Sequence, residues 1–203
     1  MVNPFTVLAS SLRRWWADLT EILFLNSVWL LLQLTIIAGP PATAVIYAMM
    51  NRTHAEYYWG WGDFWREFKR LFWPAWRWGL LNLMMLALGL FNLAVYWPNV
   101  GLLWTSLRFL WIGTLSVWVM INLFYWPFWL AQEDRSMRTT YANCFRFLLL
   151  NPLSGLALSL ICITLLIISS VTLLPLILGA ACFIALVGIG AVQQSLEMHH
   201  LKQ

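Results

Sequence analysis

The chain has 203 residues, 62% of them apolar and 10% charged, with a formal net charge of +4 and a mean hydropathy of +0.73. These values exclude an ordinary soluble domain and a disordered chain, and the short connections left between membrane spans exclude a separate soluble catalytic module. The cations are spread along membrane-flanking segments, so they read as orientation signals and headgroup contacts: membrane lipid is an expected partner and nucleic acid is not.

Lys, Arg, Asp and Glu are absent from residues 22–51, 78–107, 109–132 and 147–196. A bilayer core of about 30 Å needs roughly 20 apolar residues in a helix, so the first three stretches hold one span each and the last holds two. The expected fold is an all-α membrane protein, a single helical membrane domain over 1–203 with five transmembrane helices and interfacial amphipathic elbow helices.

In chain order, residues 1–21 read as an interfacial helix, with Phe5, Leu8, Leu12, Trp15, Trp16 and Leu19 near helical spacing beside Arg13 and Arg14. Ala42-Thr43-Ala44 resembles a signal cleavage site, but the apolar stretch outruns an h-region and Asp18 and Glu21 interrupt the basic segment, so a retained first span is expected. That span covers about 22–50 and is broken at Gly39-Pro40-Pro41, as a kink, a half-helix or a re-entry. An elbow follows over 63–73: Asp63 caps it, Phe64, Trp65, Phe68, Leu71 and Phe72 share one face, and Arg66, Glu67 and Arg70 take the other. Asp63, Trp65, Arg66, Phe68, Lys69 and Arg70 are its expected membrane-interface residues.

The second span covers about 75–97, the turn Pro98-Asn99-Val100-Gly101 leads into the third at about 102–130, and Arg108 near its start is placed to snorkel. A second elbow, 138–150, aligns Tyr141, Cys144, Phe145, Leu148 and Leu149 on one face, flanked by Arg138 and Arg146. Spans four and five are expected near 152–170 and 173–193, and the last is rich in small residues suited to close helix approach, within the protomer or in a homo-oligomer. The apolar sets of the two elbows superpose at an offset of 77 residues, with Pro74 and Pro152 one residue out of step. Cation counting gives Arg52, Arg66, Lys69, Arg70, Arg77, Arg135, Arg138, Arg146 and Lys202 inside against Arg13, Arg14 and Arg108 outside. The N-terminus is therefore expected outside and the C-terminus in the cytoplasm.

Trp104, Trp111, Trp118 and Tyr125 recur every seven residues and stay on one side of a helix. Such a ladder serves interhelical packing or lines a lipid or sugar groove. Asn26 and Gln33, also seven apart, either bond neighbouring helices or line a polar path; with the ladder they form a candidate ligand or partner face. Cys144, Cys162 and Cys182 are widely spaced and read as small core residues. No acidic residue or histidine lies deep in a predicted span, which argues against an autonomous ion-coupled carrier. Phosphate-loop, zincin and nucleophile-elbow motifs are missing, and Glu197 with His199-His200 reads as a solvated tail. No catalytic, cofactor or metal residue is expected, and no enzyme.

Asn26-Ser27-Val28-Trp29-Leu30-Leu31, then Gly39-Pro40-Pro41-Ala42-Thr43-Ala44-Val45-Ile46-Tyr47, then Asp63-Phe64-Trp65-Arg66-Glu67-Phe68-Lys69, resemble in order the YesL-like family of bacterial membrane proteins. The resemblance covers roughly residues 20–75. It implies a multi-pass protein of the bacterial inner (plasma) membrane, often encoded near carbohydrate uptake and polysaccharide utilisation genes, and it supplies no catalytic residues. The expected function is a non-enzymatic accessory or regulatory component partnered with a carbohydrate ABC transporter. The alternative is a small translocation protein passing lipid or sugar along the aromatic and polar helix face.

Overall fold

The computed structural model describes residues 2–55 and 59–200, apart from the side chains of His199 and His200. Lys202, counted above among the inside cations, and the two tail histidine side chains lie outside the described set. The described chain is helical, in the order α1 Pro4–Ala17, α2 Leu19–Gln33, α3 Gly39–His54, α4 Trp61–Tyr96, α5 Leu102–Ala131, α6 Met137–Leu150, α7 Pro152–Thr172, α8 Leu174–Ile177 and α9 Ala180–His200. Helices α4, α5, α7 and α9 are long and apolar enough to cross a membrane.

The segment expected as the first span is instead a helical hairpin. Pro40 and Pro41 occupy the first turn of α3, where a missing N–H costs nothing, and they prevent α2 from running on. The chain reverses over 34–38: Trp29 Nε1 donates to Thr43 Oγ1 at 3.1 Å, and Gln33 Nε2 donates to the same hydroxyl at 3.0 Å and to Gly39 O at 3.1 Å. In one straight helix, residues 29 and 43 would stand about 21 Å apart. Gly39 leaves room for the Gln33 amide at the turn, since a Cβ there would lie 2.9 Å from Gln33 Oε1.

Two antiparallel pairings build outward from this hairpin. Arg52 meets Asp63 and Glu67 at one end of α3, while at the other Trp76 Nε1 donates to Ile37 O and Gly79 abuts Pro40. Helix α4 then pairs with α5, residue 78 with 122, 82 with 118 and 96 with 104. The first elbow is therefore not a separate helix but the opening of α4, which continues through Pro74. The second elbow is separate: α6 stops at Asn151, whose backbone (φ −130°, ψ 55°) leaves the helical region before Pro152 opens α7. The difference lies in what each proline follows. Pro74 costs α4 one hydrogen bond while α3 supports both sides of the bend, whereas Asn151 turns its amide carbonyl to the Val2 N–H. At 36 residues α4 is about 54 Å long, well beyond the bilayer core, so its charged first half and its apolar second half cannot share the hydrocarbon.

The core gathers at the charged end. Helix α3 is wrapped by α2, α4, α5 and α9, and Ala44 through Met50 are all buried. Helix α9 begins at Ala180, later than the expected fifth span, because Leu173 (φ 56°), the short α8 and Gly179 (φ 98°) make the reversal after α7. Its small residues serve approach within the protomer. A Cβ on Gly188 would lie 3.0 Å from Pro127 Cγ and 3.1 Å from Leu123 O, the carbonyl that Pro127 leaves without its helical donor.

Both ends of the described chain lie at this same end. Val2 N donates to Asn151 Oδ1 at 2.9 Å, Asn3 N to Gln194 Oε1 at 3.0 Å, and Arg14 Nη1 to His54 O at 2.6 Å. The expectation placed the N-terminus and the C-terminus on opposite sides of a membrane, whereas the α2–α3 reversal brings the two described ends to one end of the bundle. Helix α1 seats Val7 and Ser11 against Gly190 of α9 and leaves Phe5, Leu12 and Trp16 facing outward.

Candidate functional site

Where α4 crosses α5, both helices carry Trp-x-x-x-Asn: Trp78 with Asn82, and Trp118 with Asn122. Each tryptophan donates across the interface, Trp78 Nε1 to Asn122 Oδ1 at 2.8 Å and Trp118 Nε1 to Asn82 Oδ1 at 2.9 Å. Each asparagine returns its amide to the carbonyl one turn back in its own helix, Asn82 to Trp78 O at 2.9 Å and Asn122 to Trp118 O at 2.8 Å. The result is a reciprocal clasp with an approximate two-fold relation, in which every indole N–H and every amide group finds a partner without water. Tyr141 from α6 adds its hydroxyl to Asn122 Oδ1 at 3.3 Å and stacks on Trp118 with ring centroids 5.2 Å apart. Asn82 and Asn122 are polar side chains inside charge-free apolar stretches, and the i, i+4 spacing that each shares with a tryptophan is the trace of the clasp in the sequence.

The seven-residue ladder points into this packing. Trp104 lies against Tyr96 at 5.6 Å, Trp118 belongs to the clasp, and Tyr125 is fully buried among Trp78, Trp126, Trp129 and Tyr141. Trp111 is half-buried between them along α5. Around Tyr125 the packing is so tightly aromatic that the Tyr125 hydroxyl and the Trp126 and Trp129 N–H groups are buried without an acceptor among the described residues. Asn26 and Gln33 do not come together with the ladder. Gln33 closes the α2–α3 turn, while Asn26 Nδ2 donates 2.5 Å to Leu176 O and its side-chain carbonyl has no donor among the described residues.

The elbow residues form a charge cluster tying α3 to α4. Asp63 accepts from Gly60 N at 3.1 Å as the cap of α4 and pairs with Arg66 and, at 3.2 Å, with Arg52. Glu67 is nearly enclosed and receives Arg52 at 3.0 Å and Arg70 Nε at 2.7 Å. The bond from the Gly60 N–H, with Arg66 and Arg52 nearby, holds the Asp63 carboxyl below the usual aspartate range. Phe68 packs beside Phe64 and Trp65. Trp65 and Lys69 face outward. On α3, burial first and the Arg14 guanidinium second hold the His54 imidazole below the ordinary histidine range, against a smaller opposing effect of Gln193.

Cys144, Cys162 and Cys182 are all buried free thiols, and burial pushes the Cys144 thiol well above its ordinary range. Among the described residues no group of three or more His, Cys, Asp or Glu side chains is placed to hold a metal ion. Comparison of the chain with family models, with curated proteins and with solved structures finds no match.

Proposed function

We propose that this chain is a non-enzymatic, multi-pass component of the bacterial inner membrane that serves as an accessory or regulatory partner of a carbohydrate uptake system. The observation that carries the membrane-partner part is how the polar groups of the α4–α5 hairpin are used. Asn82, Asn122, Trp78 and Trp118 saturate one another, while Leu80, Leu83, Met84, Leu90, Phe91, Phe109 and Leu110 are left uncovered by protein. A hairpin with its polarity spent internally and its outer surface greasy is built to sit in lipid or against other membrane helices. The carbohydrate part comes from the resemblance of residues 20–75 to YesL-like proteins.

The orientation that goes with this reading puts the charged end in the cytoplasm. Arg13, Arg14, Arg52, Arg66, Lys69, Arg70, Arg77, Arg135, Arg138 and Arg146 flank the packed end, against Arg108 alone at the far end of the hairpin. Both described chain ends are then cytoplasmic, and the charge cluster and α6 face a cytoplasmic partner. Deletion of the gene under sugar-inducing conditions, with affinity purification from native membranes, tests the role: reduced uptake and co-purifying transporter subunits are expected. Unchanged uptake and an unchanged partner set would overturn it. Unaided flux through the purified protein in liposomes, abolished by Trp111→Ala, would replace it with the translocation reading.

A further inference from the structure

We propose that the turn joining α4 to α5 binds the phosphate of an anionic membrane phospholipid, with Arg108 as the charged contact and Trp97 as the ring beneath it. The inference rests on the hairpin lying in the membrane and not on the carbohydrate role.

Arg108 is the one Lys, Arg, Asp or Glu between Trp78 and Gln132. Its side chain leans toward the start of its helix, as helical side chains do, and reaches the α4–α5 turn. There Nη2 donates to Thr105 Oγ1 at 3.0 Å and Asn99 O at 3.4 Å, Nε donates to Trp104 O at 3.3 Å, and the guanidinium carbon stands 5.9 Å from the centre of the Trp97 ring. All of these partners are neutral. The ion pairs among the described residues involve Arg52, Asp63, Arg66, Glu67 and Arg70, at the opposite end of α4. No carboxylate of the hairpin can reach Arg108, so its counter-charge comes from outside the hairpin.

The place and the chemistry select the partner. A cation at the edge of hydrocarbon is costly without an anion, and guanidinium matches the oxygens of a phosphate with its fork of donors. Trp97 is 67% exposed and Val100 93%, so the turn is open to the surrounding lipid. An exposed tryptophan beside a snorkelled arginine is the arrangement found at headgroup depth. A zwitterionic headgroup brings its own cation; only a headgroup with net negative charge neutralises Arg108.

The test compares wild type, Arg108→Gln, Arg108→Lys and Trp97→Leu in neutral detergent. Phosphatidylglycerol or phosphatidylcholine is titrated in, and bound lipid is read by native mass spectrometry and the unfolding temperature by scanning. Phosphatidylglycerol is expected to bind and stabilise wild type more than phosphatidylcholine does. Arg108→Gln should raise the half-saturating phosphatidylglycerol concentration about fivefold, the worth of one cation at a lipid surface, with Arg108→Lys in between and inorganic phosphate unable to displace the lipid. Equal phosphatidylglycerol responses in wild type and Arg108→Gln would overturn the proposal and leave Arg108 as a turn cap. Displacement by inorganic phosphate would also overturn it, by making the site one for a free anion. If Arg108→Gln fails to fold, Trp97→Leu keeps the charge and decides alone: weakened phosphatidylglycerol retention supports the site and unchanged retention sinks it.

Discussion

Helix α9 at the charged end and the two helices of the α4–α5 hairpin are all apolar enough to cross a membrane, yet they bury their apolar stretches in opposite ways. In α9 61% of the most apolar stretch is enclosed by protein, against 6% in α4 and 17% in α5. Helix α3 is shorter than any span and almost entirely covered, while the outer halves of α4 and α5 touch little beyond each other. Apolar composition alone therefore does not separate a helix that meets lipid from one that meets other helices. Small residues at the contacts do: α3 and α9 carry Gly39, Ala42, Ala44, Ala185 and Gly188, all buried against their neighbours.

The sharpest break in that contrast is a pair of glycine substitutions. Gly188→Leu pushes a side chain into Pro127 and the Leu123 carbonyl, and should cost about 3 kcal/mol or prevent recovery of monodisperse protein, as read by size-exclusion and thermal unfolding in detergent. Gly113→Leu on α5 meets open space and should stay within about 0.5 kcal/mol of wild type. Next in size is Glu67→Ala, which strands Arg70 at the packed end and leaves Arg52 with Asp63 alone. Both arginines are partly exposed, so a loss of about 2 kcal/mol is expected, less than for a fully buried pair.

On the hairpin, Asn122→Leu removes the acceptor of Trp78 and Tyr141 and should cost about 1 kcal/mol. The double variant with Asn82→Leu should cost less than the sum, because the two amides belong to one clasp. Acid should loosen the packed end before the hairpin. The proton affinity of His54 is depressed in the folded state, so its contribution to stability is present above the ordinary histidine pKa of about 6.5 and is lost as pH falls through the lower folded value. Asp63 follows at lower pH in the same direction. Unfolding temperatures measured across that range should show an upper step that disappears in His54→Asn. The smallest effect is a gain: Leu173 holds a left-handed backbone at the end of α7, and Leu173→Gly should add about 0.5 to 1 kcal/mol in the same assay.

Much of the architecture was legible in residue order. The third span falls on α5 and the fourth on α7 within two residues at each end, because Gly101 and Pro152 mark their starts and no proline interrupts their apolar faces except Pro127, which α9 accommodates. The break at Gly39-Pro40-Pro41 is legible but its form is not, because charge spacing measures only how long an apolar stretch is, whereas reversal at 34–38 depends on Gln33 and Trp29 finding Thr43. The first elbow, expected as its own helix over 63–73, runs on into the next span, because a proline bends a helix without stopping it when a neighbour packs across the gap. The ladder was visible at a seven-residue spacing; its pairing with α4 was not, since that needs the register of two helices joined by a turn whose length alone does not fix it.

The seat of α1 is assembled from parts made far apart in time. Asn151, Ser154, Gly190 and Gln194, which hold Val2, Asn3, Val7 and Ser11, leave the ribosome long after α1 itself. Helix α1 therefore gains its seat only once α9 has been made, and until then Val7 and Ser11 lack the neighbours that bury them.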